Sequence, residues 1–199
     1  LFPYTTLFRS LFIALPISQA GPNPTSRRTR EGAIDEAAAV IASSFTCVVR
    51  PEWIDSNGHM NMGYYVVVFD LATDEWMRLI GLDADHRRTH QVTTFCLEAH
   101  VTYHREVQEG DPLRFTTRLL AYDAKRIHYI HEMFHGDAGY LAATNELMSL
   151  HVSQETRRGA PMAAEILERL GRLQHAHDRL PRPPQVGRVM GLGARPTTR

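Results

Sequence analysis

Four polar residues at alternate positions have the types and the spacing that could do chemistry: Asp55, Asn57, His59 and Asn61. A carboxylate can act as a general base or as a nucleophile, and amide or imidazole groups can orient it. An apolar segment follows at once, and the free N–H groups at the start of a helix could hold a carbonyl oxygen that gains negative charge. Taken singly, each residue would be a turn or cap residue. Together they indicate a site that acts on a carbonyl group.

The segment 62–82 has the apolar spacing of a buried helix. Its apolar positions follow the i, i+3, i+4, i+7 rule: Met62, Tyr65, Val66, Phe69, Thr73, Trp76, Leu79 and Ile80. Further apolar residues widen this face, so the pattern predicts a helix that is buried on nearly all sides. Asn61 can cap its start through a short oxygen-bearing side chain, and Gly81 predicts its end.

The rest of the segment 45–180 reads mainly as strands. Strands are predicted at 45–49, 92–107, 113–122, 127–134 and 140–152. In the second of these, alternation places one set of side chains on a single face: Phe95, Leu97, Ala99, Val101 and Tyr103. The charged segment 83–91 is predicted to be a loop, and an amphipathic helix is predicted between Pro161 and Pro181. This order indicates an α+β fold, in which an antiparallel sheet of about five strands wraps a long buried helix and a C-terminal helix follows.

Both ends of the chain are expected to lie outside this domain. Residues 1–44 are predicted to be a disordered leader, because 21–32 is rich in Pro, Ser and Arg. The first residues, LFPYTTLFRS, match the translation of the end of a common sequencing adapter, so we interpret 1–10 as an artefact. The domain is expected to span 45–180, and the basic tail at 181–199 is predicted to be disordered.

Composition argues against several classes of function. A formal net charge of zero is not typical of a protein whose main partner is nucleic acid. No apolar run approaches the length of a transmembrane helix, so we expect no membrane role and a cytoplasmic location. Cys47 and Cys96 read as reduced thiols. The histidines His128, His131 and His135 resemble a ligand series, but a strand places the first two on opposite faces, so no metal and no cofactor are predicted.

The run Asp-Ser-Asn-Gly-His-Met-Asn at 55–61, followed by two tyrosines and a long apolar helix, resembles the hotdog-fold acyl thioesterases over about 45–152. Asp55 falls where thioesterases of the 4-hydroxybenzoyl-CoA type carry their catalytic carboxylate. Further on, 103–111 and 123–126 look most like bacterial thioesterases of carnitine and betaine catabolism. The resemblance implies a hotdog fold and the hydrolysis of a small acyl-CoA, with betainyl-CoA as a candidate substrate.

The resemblance also implies roles for the residues of the motif. Asp55 would be the general base or the nucleophile, and the sequence leaves both possibilities open. Asn57 and His59 would orient Asp55, the water or the thioester. The carbonyl oxygen would be held by N–H groups at the helix start, at Asn61, Met62 and Gly63.

Glu98 is a candidate second carboxylate. In hotdog thioesterases the strand after the helix can supply a second acid that faces the first across a subunit boundary. The alternative is that Glu98 pairs with Arg105, Arg118 or a histidine, because a carboxylate in an apolar strand is costly unless it is paired or functional.

Substrate-binding residues are expected around this motif. Tyr65 lies on the apolar helix face and could reach the acyl group. A trimethylammonium group would bind to aromatic faces and acids, and the candidates are Trp53, Tyr64, Tyr65, Asp70 and Tyr103. Guanidinium and ammonium groups suit the phosphates of CoA, which makes Arg105, Lys125 and Arg126 candidates for that role.

Two other classes of protein fit part of the pattern. One is a hotdog hydratase or dehydratase acting on the same thioester, which the 55–61 motif disfavours. The other is a domain that binds acyl-CoA without turnover. For the hotdog thioesterase, a single sheet around one helix leaves a long strand edge exposed, so we expect a homodimer or a dimer of dimers.

Overall fold

The structure, a computed structural model, describes residues 45–191 of the 199-residue chain. Its elements in order are β1 (Thr46–Val48), a 3₁₀ turn (Pro51–Trp53), α1 (Met62–Ile80), α2 (Ala84–His90), β2 (Val92–Tyr103), β3 (Pro112–Tyr122), β4 (Arg126–His135), β5 (Leu141–Ser153) and α3 (Ala164–His177). The expectations for the leader at 1–44, including the adapter-derived residues 1–10, and for 192–199 lie outside the described residues.

The five strands form one antiparallel sheet in the order β1-β3-β4-β5-β2. The short β1 forms one edge. The long β2 forms the other edge and pairs with β5 along its whole length, from Val92 opposite Ser153 to Tyr103 opposite Ala143. The predicted α+β architecture, with five antiparallel strands, one long helix and a C-terminal helix, is therefore confirmed.

The long helix α1 begins and ends at the predicted signals. The side chain of Asn61 accepts a hydrogen bond from the N–H of Gly63 at 2.9 Å. Gly81 ends the helix with φ of 90°, a left-handed conformation that glycine adopts without steric cost. The prediction of burial on nearly all sides is wrong for one strip, because Met62 is 68% exposed and Val66 is 46% exposed. The sheet covers only one side of the helix, so this strip lies uncovered in a single chain.

Two groups of buried side chains hold α1 in place, one on each half of the helix. On the first half, Tyr65 and Phe69 pack with buried residues of β3, β4 and β5. On the second half, Trp76 and Ile80 pack with the C-terminal helix, where Leu170 is fully buried. The start of the helix is thereby held at one end of the sheet, and α3 closes the core at the other end.

A buried histidine links α1 to the sheet by two hydrogen bonds. His131 on β4 is fully buried, and its Nε2 lies 2.9 Å from Thr73 Oγ1 on α1. Its Nδ1 lies 2.8 Å from Thr117 Oγ1 on β3. Burial lowers the pKa of His131 to about 3, so the imidazole is neutral at neutral pH. Both ring nitrogens are satisfied, which makes this histidine structural.

Three local predictions are corrected by the structure. The segment 83–91 is not a loop but contains α2, because the Asp83 side chain caps it by accepting from His86 N at 2.8 Å. The strand β2 ends at Tyr103 rather than at 107, since the N–H groups of His104 and Arg105 both turn to the Ala142 carbonyl. The C-terminal helix begins at Ala164 and ends at His177, inside the predicted limits at Pro161 and Pro181.

A β-bulge changes the predicted facing of residues in β2. Cys96 pairs with Ser149 and Glu98 pairs with Met148, so Leu97 is an extra residue in the strand. Ala99 pairs with Leu147, which is part of the core. Because of this extra residue, the side chains before the bulge alternate out of step with those after it. Phe95 therefore lies on the face of the sheet opposite to Ala99, although strict alternation predicted the same face.

The chain after α3 crosses the face of the sheet that is turned away from α1. Thr117 bonds to His131 on the α1 side, so its neighbour Arg118 points the other way. Arg118 is 7% exposed, and its guanidinium donates to the carbonyl oxygens of His177 at 2.8 Å, Leu180 at 2.5 Å and Pro181. We call residues 178–187 the C-terminal strap.

The far end of this strap is also fastened to the sheet. The N–H of Gly187 donates to Glu146 Oε2 at 2.7 Å, and Glu146 Oε1 lies 2.7 Å from His128 Nε2. The hydrogen bonds of the fold therefore continue past the predicted domain boundary at residue 180. No helix in the part of the chain that the structure describes is both long enough and apolar enough to span a membrane.

We predict that Arg118→Met releases the C-terminal strap. Three carbonyl groups lose their charged donor, which should lower the free energy of unfolding by about 1–3 kcal/mol. Urea denaturation measures this change, and hydrogen exchange at Gly187 should become faster. The control is Arg114→Met, an exposed arginine on the same strand that lies over the ring of Phe134. Equal stability and equal Gly187 protection in the two variants would contradict the prediction.

Candidate active site

The motif at 55–61 forms a closed loop held by its own backbone. The N–H of Asp55 donates to the His59 carbonyl at 3.0 Å, and the N–H of Gly58 donates to the Asp55 carbonyl at 3.0 Å. Gly58 has φ of 81°, where a side chain would be strained. Asp55 Oδ1 accepts from Asn57 N at 2.8 Å. Its other oxygen, Oδ2, accepts no hydrogen bond from residues 45–191, which leaves it available to a water or a substrate.

Backbone hydrogen bonds from both neighbouring segments fix this loop on the domain. The N–H of Met60 donates to the Val107 carbonyl at 2.9 Å, and the N–H of Asn61 donates to the Trp53 carbonyl at 2.9 Å. Met60 and Trp53 are both buried, each 4% exposed. The position of Asp55 is therefore set by main-chain bonds and two buried side chains rather than by a flexible loop.

His59 has a partner that the sequence did not reveal. Its Nε2 lies 3.3 Å from Glu106 Oε1, and the Tyr140 hydroxyl donates to the Glu106 carbonyl oxygen at 3.0 Å. Glu106 follows the end of β2, 47 positions after His59 in the chain. No local pattern links these two residues, although Glu106 belongs to the 103–111 stretch that carried part of the resemblance.

The start of α1 offers fewer free N–H groups than its residues imply. The N–H of Asn61 donates to Trp53, and the N–H of Gly63 donates to the Asn61 side chain. The N–H of Met62 has no acceptor among residues 45–191. Of the three groups expected to hold a carbonyl oxygen, Met62 is thus the one whose donor is available in this structure.

Aromatic side chains surround the helix start. The rings of Tyr65 and Tyr103 meet edge to face, with centroids 5.1 Å apart, and the Tyr103 hydroxyl donates to the Met62 carbonyl at 3.2 Å. Trp53 stacks on Tyr64 with centroids 5.9 Å apart. Burial raises the pKa of Tyr65 and of Tyr103, so both hydroxyls are neutral at neutral pH.

Glu98 does not lie beside Asp55 in a single chain. It precedes Tyr103 by five residues, which is roughly 17 Å along an extended strand. Because Ala99 pairs with the core residue Leu147, Glu98 points to the face of the sheet turned away from α1. Its expected role as a second acid therefore depends on a second copy of the chain and stays a prediction.

The three basic residues expected to bind phosphate lie at two ends of the sheet. Arg105 is near the motif, with its guanidinium 4.0 Å from the centre of the Tyr140 ring. Lys125 lies in the turn between β3 and β4, Arg126 is the first residue of β4, and β3 spans roughly 35 Å. Hydrogen bonds from the N–H of Lys125 and from Arg126 lower the pKa of Asp123 to about 2. One chain alone does not bring these cations together.

The histidines and cysteines that could bind a metal or act as nucleophiles do neither in the described residues. His128 pairs with Glu146, His131 bonds two threonines, and His135 Nε2 lies 3.4 Å from Asp111. Among residues 45–191, no group of three or more His, Cys, Asp or Glu side chains could hold a metal ion. Burial raises the pKa of Cys47 to about 11 and also raises that of Cys96, so neither thiol is a thiolate nucleophile at neutral pH.

The sheet wrapped around α1, with a carboxylate beside the helix start, defines a hotdog-type acyl hydrolase. Residues 49–170, more than half of the chain, match the family model of the thioesterase-like superfamily, and the chain belongs to that family. The predicted hotdog fold and the predicted activity, hydrolysis of an acyl-CoA thioester, are thereby confirmed. The hydratase and non-catalytic alternatives are not supported.

Three relatives carry this assignment. The betainyl-CoA thioesterase of Pseudomonas aeruginosa is 41% identical over 152 residues, which are 76% of this chain and 96% of that protein. A Staphylococcus aureus protein solved in complex with CoA is 30% identical, with a TM-score of 0.70 over 74% of this chain and 93% of that one. A proposed thioesterase of Pseudomonas putida KT2440 is 33% identical, with a TM-score of 0.66 over 76% and 96% of the two chains.

Proposed function

We propose that this enzyme hydrolyses betainyl-CoA to betaine and CoA at the start of α1, with Asp55 as the reacting carboxylate. The observation that carries this proposal is that, among residues 45–191, Asp55 Oδ2 accepts no hydrogen bond in a backbone-fixed loop and the N–H of Met62, in the helix that follows the loop, has no acceptor. The substrate is inferred from the betainyl-CoA thioesterase that is 41% identical over most of the chain.

Asp55 would act in one of two ways. As a general base it takes a proton from a water whose oxygen bonds to the carbonyl carbon, and the C–S bond then breaks as the proton passes to the sulfur of CoA. As a nucleophile it bonds to the carbonyl carbon and expels CoA, and water then hydrolyses the mixed anhydride. In both routes the N–H of Met62 donates to the developing oxyanion, which is the largest electrostatic contribution expected at such a site.

The neighbours of Asp55 orient it during either route. The N–H of Asn57 holds Oδ1, so only Oδ2 is directed to the substrate. His59 lies on the same loop, and its Nε2 is 3.3 Å from Glu106 Oε1. The exposed side chain of Met62 and the buried ring of Tyr65 below it would line the acyl group.

A second copy of the chain would complete the site. The β2 edge has unpaired backbone groups and carries the exposed Leu97, and α1 has the uncovered strip of Met62 and Val66. Two β2 strands related by a two-fold axis run antiparallel, so the beginning of one lies beside the end of the other. We therefore propose a homodimer as the basic unit.

This two-fold pairing would bring the turn between β3 and β4 of the second copy closer to the helix start of the first. Phe95 pairs with Leu150, and Leu150 pairs with Arg126, so this turn lies at the beginning of β2. Lys125 is the better phosphate ligand of the turn, since Arg126 is already paired with Asp123. Together with Arg105 it would bind the phosphates of CoA.

We place the enzyme in the cytoplasm, which its two free cysteines favour.

The first prediction from the proposed function concerns Asp55→Asn. The amide keeps an oxygen that can accept from the N–H of Asn57, so the loop should stay folded, but it cannot take a proton or attack a carbonyl. Turnover should fall by about 10²–10⁴-fold while KM changes far less. The control is Asp85→Asn, an exposed carboxylate in the first turn of α2. Near-normal turnover in a folded Asp55→Asn enzyme rules out this role.

The second prediction concerns assembly. Light scattering at micromolar concentration should show a dimer or a multiple of it, and Leu97→Arg should dissociate the dimer and reduce turnover, because charge is costly in a closed interface. The matched control is Val189→Arg at a position that is 90% exposed. A fully active monomeric wild type would refute the proposed dimer.

The third prediction concerns the substrate. The comparison is kcat/KM for betainyl-CoA against 3,3-dimethylbutyryl-CoA, which has the same shape without the charge. One or two cation–π contacts of roughly 0.5–2 kcal/mol each should give the cation an advantage of about tens-fold. Equal or better use of the neutral thioester would reject betaine specificity and leave the thioesterase activity standing.

A further inference from the structure

The length of the acyl group limits where its charge can be bound. In a betainyl thioester the nitrogen lies about 2.5 Å from the carbonyl carbon, because C–C and N–C bonds of about 1.5 Å meet at about 111°. A cation subsite therefore has to adjoin the groups that act on the carbonyl. Here these are Asp55 and the N–H of Met62, so residues deeper in the core, such as Trp76 against Tyr129, are too far along α1 to take part.

The aromatic rings at this end of the sheet differ in whether a face is available. Trp53 is covered by Tyr64 on one side, and the guanidinium of Arg50 lies 5.2 Å from the centre of its ring. The ring of Tyr140 already carries the guanidinium of Arg105 at 4.0 Å. Each ring thus already has a cation of the protein near it, and Trp53 is in addition buried.

Tyr103 is different from these rings. It is 44% exposed, and the aromatic partner of its ring among residues 45–191 is Tyr65, which meets it edge to face. Its hydroxyl donates to the carbonyl of Met62, the residue whose N–H is available for the oxyanion. This hydrogen bond holds the ring at the first turn of α1, next to the reacting carbonyl.

A carboxylate lies at the same end of the sheet. Glu106 has a side chain that is 64% exposed, and its backbone is held by the Tyr140 hydroxyl. One of its carboxylate oxygens, Oε1, lies 3.3 Å from His59 Nε2 on the catalytic loop. Burial, and to a lesser extent the negative charge of Glu106, raises the pKa of the Tyr65 hydroxyl, in line with a position of this carboxylate near the Tyr65–Tyr103 pair. A trimethylammonium group donates no N–H hydrogen bond, so an aromatic face and a nearby carboxylate are the groups expected to recognise it.

We propose that the ring of Tyr103, with the carboxylate of Glu106 as the counter-charge, forms the subsite for the cationic head of the acyl group. This inference rests on the proposed function and assigns its specificity to two residues at the end of β2. Tyr103 acts through its ring face and Glu106 through its charge. Both favour the cationic thioester over a neutral one of the same shape.

The experiment measures the ratio of kcat/KM for betainyl-CoA to that for 3,3-dimethylbutyryl-CoA in full-length variants. Tyr103→Leu removes the ring and should lower the ratio by about 2- to 30-fold, as expected for a contact of roughly 0.5–2 kcal/mol. Tyr103→Phe keeps the ring and should keep most of the ratio. Glu106→Gln removes the counter-charge and should lower the ratio several-fold, mainly through betainyl-CoA.

The matched control is Phe134→Leu, which removes a ring near the end of β4 that already has the guanidinium of Arg114 4.6 Å from its centre, and which should affect both thioesters alike and leave the ratio unchanged. A wild-type ratio of one or less overturns the betaine specificity of the proposed function and this subsite with it. A wild-type ratio well above one that Tyr103→Leu and Glu106→Gln both leave intact overturns the subsite alone. Equal losses with both thioesters in Tyr103→Leu have the same meaning, since the ring would then be structural.

Discussion

The structure depends on the burial of one side of α1 against the inner face of a single sheet. The helix is too apolar to lie in water, and the five strands have only one face to offer it. Packing alone would let the helix slide, but His131 joins Thr73 to Thr117 in the middle of this contact. A buried imidazole with both nitrogens bonded requires one position of the helix along the sheet, because displacement would leave a buried polar group unsatisfied. The helix start is thereby placed at the end of the sheet where the 55–61 loop is tied down.

The geometry of the proposed catalytic site follows from that placement. Asp55 is held by bonds within its own loop, and the loop is held by the main chain at Trp53 and Val107. Among residues 45–191 the N–H of Met62 has no acceptor, because the Asn61 side chain accepts from Gly63 and not from the preceding donor. The cap that begins the helix thus also determines which N–H group is open to a substrate oxygen. Preorganised donors of this kind contribute to catalysis because they need no rearrangement when charge develops.

The two faces of the sheet have different roles. The inner face holds α1, and the outer face is crossed by the C-terminal strap, which Arg118 and Glu146 fasten at its two ends. With one edge shortened to three residues in β1, the long edge of β2 and the uncovered strip of α1 are the surfaces that a second copy could use. The β-bulge at Leu97 lies near the middle of this edge, where it changes which side chains face the inner side. The proposed site for the acyl group is at the end of the same strand, so pairing and specificity would depend on one element.

Local signals in the sequence determined the parts of this protein that depend on neighbours in the chain. Asn61 and Gly81 marked the limits of α1, alternation marked the strands, and the 55–61 motif marked the loop that carries Asp55. Tertiary structure decided what depends on distant residues. It placed Glu106 beside His59, turned Glu98 away from α1 through one extra residue in β2, and separated Lys125 from Arg105 by the length of a strand. The physical reason is that caps and alternation arise from backbone geometry within a few residues. Pairings across the fold depend instead on how a sheet bends, where a strand gains a residue and which side chains meet when the core closes.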